Sequence, residues 1–135
     1  MLKFVVNIIC LFVFLFIFSE TGNAQKIFFC EKVNADGSPV NKKNEFAIKI
    51  GRDNIFLLLQ KKDSLKTDSV TYKIFSLDVK NNRKLEFEYK EKVNPDQTWC
   101  KQQVAFKKEG LYDIIVYDAR RNILCSDYLK IRRKK

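Results

Sequence analysis

Hydrophobicity in this chain alternates with a period of two. Leu85, Phe87 and Tyr89 are apolar, and Glu86, Glu88 and Lys90 between them are charged. Successive side chains of an extended backbone point to opposite faces, so the pattern describes a strand with one dry and one wet side. A helix needs apolar residues three and four apart, and no segment from residue 25 onward sustains that spacing. The alternation recurs with variations. Extended segments are predicted over 27–33, 46–50, 55–59, 70–77, 85–90, 98–106, 112–116 and 122–131. Turn chemistry separates them: Asp36-Gly37-Ser38-Pro39, Gly51-Arg52-Asp53-Asn54, Asn81-Asn82, Asn94-Pro95-Asp96 and Asp118 to Asn122. Short strands punctuated every 8–12 residues or so argue for an all-β sandwich or barrel. Ile55 to Leu59 is apolar without a break, which predicts a central strand covered on both sides. The apolar face changes near Phe75, which predicts a bulge or bend there.

The first 24 residues stand apart from this pattern. Lys3 precedes an almost unbroken apolar run from Phe4 to Phe18, and small polar residues lead to Ala24. That is the layout of a secretory signal peptide helix with cleavage after Ala24. A membrane span wants about 20 apolar residues, and this run is shorter; a retained anchor is the alternative. Two regions follow: a signal peptide at 1–24 and one domain at 25–135, large enough for a single core. The expected location is exported, periplasmic or secreted, with no span left after cleavage.

The chain carries a net charge of +10. Lys3 and Glu20 fall in the signal segment and offset one another, so residues 25–135 keep that charge. A positive field of this size favours anionic surfaces. Nucleic acid is not expected as a partner, because Phe28, Phe46, Phe87, Tyr89 and Phe106 occupy alternating positions that a core claims.

Histidine is absent. Its absence removes Ser–His and Cys–His nucleophile pairs and imidazole metal ligands. The four glycines are isolated, so no phosphate cradle exists. No serine sits in a Gly-bracketed elbow. The expectation is a non-enzymatic protein with no catalytic residues, no metal and no cofactor. Cys30, Cys100 and Cys125 lie in the domain, too widely spaced for a CxxC site, and three pairings are open to them.

Glu109-Gly110-Leu111-Tyr112-Asp113-Ile114-Ile115-Val116 carries the most specific signal. A Gly-x-Tyr entering an alternating strand, followed by a hairpin into the last strand, resembles the tyrosine corner of immunoglobulin-like domains. The whole 25–135 segment is similar to small exported bacterial modules of that architecture. The resemblance implies one antiparallel β-sandwich of seven to eight strands. It implies that Gly110 and Tyr112 form the corner, with the Tyr112 hydroxyl bonded back near Lys107 or Lys108. It also implies that the first and last strands lie side by side, which suggests a Cys30–Cys125 disulfide with Cys100 free. Antibody-type domains carry a cysteine two residues after this tyrosine, and Ile114 stands there instead.

In such a sandwich the loops 60–68, 92–97 and 118–122 share one end. They bring Lys61, Lys62, Lys66, Lys92, Arg120 and Arg121 together as a candidate anion-binding tip, since paired arginines grip carboxylate or phosphate bidentately. The opposite end holds Arg52, Lys80, Arg83, Lys107 and Lys108. Trp99 points away from the face of Val104 and Phe106; it either binds ligand in the open or packs under a loop. The predicted function is a binding module for an envelope or extracellular protein or an anionic surface. The alternative is an assembly module that pairs with a partner through an edge strand.

Overall fold

The computed structural model describes residues 25–135; the predicted signal segment lies outside them. Ten strands build the domain: β1 (Lys26–Cys30), β2 (Lys32–Val33), β3 (Pro39–Val40), β4 (Glu45–Ile48), β5 (Ile55–Gln60), β6 (Ser69–Leu77), β7 (Arg83–Lys92), β8 (Trp99–Val104), β9 (Gly110–Tyr117) and β10 (Ile123–Arg133). Among the described residues there is no helix.

Two sheets face each other. One has three strands in the order β1-β5-β8, and the other has five in the order β4-β10-β9-β6-β7. The core between them is made by alternate residues. Ile27 and Phe29 of β1, Leu57 and Leu59 of β5, and Val104 of β8 meet Tyr72 and Ile74 of β6, Ile114 and Val116 of β9, and Leu129 and Ile131 of β10. At roughly 25 cal/mol per Å² of apolar area buried, this layer is the main source of stability.

Three features depart from the sequence-based expectation. First, the predicted strand 27–33 breaks at Glu31. The chain turns there, and β2 and β3 form a small hairpin. Val33 from that hairpin packs with Cys30 and Leu58 in a second cluster, flanked by Phe28, Phe56 and Trp99. The hairpin is thus a flap over the outer face of the three-stranded sheet. Second, β4 pairs with β10 in parallel, while every other pairing is antiparallel.

Third, Cys30 and Cys125 are not bridged in this structure. All three cysteines of the described residues are free. Cys30 lies on the face of β1 turned outward, beneath the flap, whereas Cys125 packs against the core between the sheets. The two side chains thus belong to different layers, one outside the three-stranded sheet and one between the sheets.

The change of face near Phe75 is a bulge. Ile74 pairs with Phe87 and Phe75 with Leu85, which leaves Glu86 of β7 as the extra residue.

Candidate functional site

The loops 61–68, 93–98 and 118–122 meet at one end of the sandwich. Backbone hydrogen bonds join the first two: Lys61 N–H to the Thr98 carbonyl at 2.9 Å, Leu65 N–H to Gln97 at 2.7 Å and Lys66 N–H to Pro95 at 3.0 Å. The third is attached by Ala119 N–H, which donates to Thr67 Oγ1 at 3.0 Å. Thr67 is buried and its hydroxyl donates onward to the Ser69 carbonyl. The three loops therefore form one fixed platform.

Of the six predicted cations, five lie on these loops and Lys92 ends β7; the five are not equivalent. Lys61 and Lys66 both pair with Asp63, at 3.6 and 3.1 Å, and the Lys61 side chain is only 8% exposed. The Lys66 hydrogen bond holds the Asp63 carboxyl below the usual carboxylate range, so the carboxylate stays ionised at neutral pH. One carboxylate thus satisfies two of the six cations. No carboxylate of the described residues pairs with Lys62, Arg120 or Arg121.

The Arg120-Arg121 turn is built by Asp118. Its Oδ1 accepts from Arg120 N–H and Asn122 N–H, both at 2.9 Å. Residues 78–82 make the same turn at the other end of the domain, with Asp78 Oδ1 accepting from Lys80 and Asn82 at 2.8 Å. The fourth residue of each turn has positive φ: Asn81 at 62° and Arg121 at 65°. Asparagine tolerates that conformation, and arginine does so at a cost.

Beside this platform, on the flank of the three-stranded sheet, lies a cavity of about 350 Å³. Lys26, Lys61 and Lys62 supply its positive charge, Asp36 one negative charge, and Phe28 and Trp99 its apolar surface. Strand register explains the grouping. Lys26 of β1, Gln60 of β5 and Trp99 of β8 are direct neighbours across the sheet. The flap closes one side. Gln60 Nε2 donates to the Gly37 carbonyl at 2.8 Å, and Gly37 lies on the Trp99 ring so closely that a Cβ there would be 2.6 Å from it. Trp99 therefore packs under a loop, with part of the indole left at the cavity.

The other end of the domain is basic too; two of its five named cations are paired, and Arg52, Lys80 and Lys107 have no carboxylate partner among the described residues. Arg83 bonds the buried Asp113 carboxylate at 2.8 Å, and Lys108 bonds Glu86 at 2.7 Å.

No protein-family model matches the chain, and no curated protein matches it. Among solved structures it is similar to the crystal structure of an immunoglobulin-like protein from Pseudomonas aeruginosa. That match has a TM-score of 0.52 at 15% identity and covers 79% of this chain and 92% of the other. The fold is immunoglobulin-like. Weaker matches are a superoxide reductase (neelaredoxin) from Ignicoccus hospitalis and a CARDB domain from Pyrococcus furiosus. Their TM-scores are 0.45 and 0.37, their identities 10% and 7%, and they cover 85% and 83% of this chain and 86% and 97% of theirs.

Within the immunoglobulin-like frame, Gly110 opens β9 at φ +149°. The Tyr112 hydroxyl then donates to the Lys108 carbonyl at 2.6 Å. Its ring lies 4.7 Å from that of Phe106, and burial pushes the phenol up to about 12. Burial acts on the thiols as well. Burial raises Cys100 to about 11 and Cys125 to about 12, and raises Cys30 as well. Thiols so placed carry little thiolate at neutral pH, and the thiolate is the nucleophile. Cys100 Sγ instead shares a 3.0 Å contact with the buried Tyr72 hydroxyl.

Lys26 and Asp36 were not expected at any site. The only sequence signal for them is the Asp36-Gly37 turn, which marks where the chain folds back but not what it folds onto.

Proposed function

We propose that the protein is an exported, non-enzymatic binding module that takes an anionic partner on its three-loop end. The partner class is an acidic surface or an acidic envelope or extracellular protein. One observation carries this reading: Arg121 occupies a strained left-handed position in a turn whose twin uses asparagine at the same place. Strain kept at an exposed tip points to a role for the side chain rather than to the fold. Arg120 beside it and Lys62 on the adjoining loop likewise carry no ion pair among the described residues. Export rests on the composition of residues 1–24 and is checked separately: mature protein should begin at Gln25 by intact mass.

The test is charge reversal. Arg120→Glu with Arg121→Glu should elute from a heparin or anionic-vesicle column at clearly lower salt than wild type. Equal retention of the folded double variant removes the tip as the binding surface.

A second reading has its own observation. β7 pairs only with β6, so one edge of the five-stranded sheet is open and could add a partner's strand. That edge is guarded, since the bulge at Glu86 and the charges of Lys84, Glu88 and Lys90 are devices that discourage pairing. Binding by strand addition should persist in high salt, whereas the anionic contact should not.

A further inference from the structure

We propose that the cavity beneath the flap binds an acidic saccharide, with Lys26 and Lys62 taking its acid group and Trp99 and Phe28 receiving the apolar face of a ring. The proposal rests on the anion-binding reading above and gives it a ligand class and a second set of residues.

A cavity of about 350 Å³ is larger than an inorganic oxyanion needs and lies within the range of roughly 300–1,000 Å³ usual for small-molecule sites. Its occupant must therefore have a body. The floor under that body is aromatic: Phe28 from β1 and Trp99 from β8, on the outer face of the same sheet. Gly37 covers one face of the Trp99 ring, and the part of the indole left at the cavity, apolar surface beside a polar edge, suits a ring that is itself apolar on one side and polar at its rim.

The polar groups are of the kind a sugar uses. Asp36 is held in place by Ser38, whose N–H and hydroxyl donate to the same oxygen, Oδ1, at 3.0 and 2.6 Å. Those bonds keep the carboxyl below its ordinary range and leave Oδ2 as an acceptor for a hydroxyl. Gln60 is fixed through its amide nitrogen to Gly37, so its carbonyl oxygen is the remaining acceptor at the wall, and Thr98 adds a hydroxyl.

The charge then selects the acid. Lys61 is committed to Asp63, while Lys26 and Lys62 have no carboxylate partner among the described residues. Two uncommitted ammonium groups against one ionised Asp36 leave the cavity net positive. Each lysine acts as a point charge, which suits a carboxylate or sulfate standing off a ring.

Trp99 is the only tryptophan, so its fluorescence reports this cavity. The full domain is titrated with an oligogalacturonate, with a neutral oligogalactoside and with inorganic phosphate. The acidic oligosaccharide should give a saturable change, the neutral one little, and phosphate little. Lys26→Glu with Lys62→Glu should weaken the response at least tenfold while far-UV circular dichroism and Tm stay near wild type. A Trp99 response equal in that double variant overturns the proposal. So does an equal response to phosphate, which would mean a plain anion site without a ring subsite. If the oligogalacturonate binds by calorimetry, leaves Trp99 unchanged and is lost only in Arg120→Glu/Arg121→Glu, the platform reading stands and the cavity proposal fails. Loss of neither signal in either variant overturns both.

Discussion

Gly37→Ala should loosen the flap without unfolding the sandwich. Gly37 sits at φ +86°, and a Cβ built there lies 2.6–2.7 Å from Cδ1, Nε1 and Cδ2 of Trp99. The backbone term is about 1–2 kcal/mol for an L-residue in the left-handed region. The steric term is about 1–3 kcal/mol, as for overpacking generally, because the indole is rigid and cannot give at a flexible end. Together they reach about 2–5 kcal/mol if the flap stays docked. Val33 is the flap's buried apolar anchor, and full burial of such a side chain contributes about 1.5–3 kcal/mol. The two figures overlap, so the flap should open for part of the time rather than drag the core with it. In a urea titration the tryptophan signal of Gly37→Ala should shift to the red at low denaturant, ahead of the far-UV transition. Wild type should show both signals together. In a Trp99→Leu background the steric term should shrink and leave mainly the backbone cost. A Gly37→Ala protein with wild-type emission and midpoint refutes the reasoning, and a penalty of the same size in both backgrounds refutes its steric half.

Three more perturbations address other parts of the domain. Tyr112→Phe removes the hydrogen bond to Lys108 and should cost about 1 kcal/mol in chemical denaturation, at the low end for a lost bond because Lys108 is exposed and water can replace the hydroxyl. Arg121→Asn copies the twin turn at 78–82 and should stabilise by roughly 0.5–1 kcal/mol while weakening retention on an anionic matrix; a gain in stability with unchanged retention separates the strain from the proposed role. Burial raises the Glu91 carboxyl, partly countered by Lys101, and its Oε2 has no hydrogen-bond partner. A folded-state value above the unfolded one means that the protonated group contributes stability, fully present below the unfolded value near 4.3 and lost as pH rises through the folded one. Glu91→Gln should therefore stabilise the domain at pH 7 and make little difference at pH 4, and a constant difference between those pH values would contradict this.

Strand positions were legible because each long strand keeps period two on at least one face. The exceptions were instructive. Ile27-Phe28-Phe29-Cys30 is apolar on both faces, so periodicity cannot say which way Cys30 points. The structure supplies the reason: the inner face meets the other sheet and the outer face meets the flap. The flap strands themselves are two residues each, too short to show a period. Ile55 to Leu59 read correctly as central because it is covered on both sides. The charged residues of 60–68 and 118–122 were visible, but the role of Asp63 in claiming two of them depends on how that loop curls. Lys26 reaches the cavity only through register with Gln60, which no local pattern encodes.

The place of β10 in the sheet has a consequence for the order of events during synthesis. β4 is made early, yet its only sheet neighbour is β10, the last of the described strands to be made. β9 likewise waits for β10 on one side. Until then Phe46 and Ile48 have no sheet to join, and the loop that must close to seat them spans most of the domain, which slows the step. The nascent chain should therefore stay open and protease-sensitive until residues 123–133 emerge, then close in one late event.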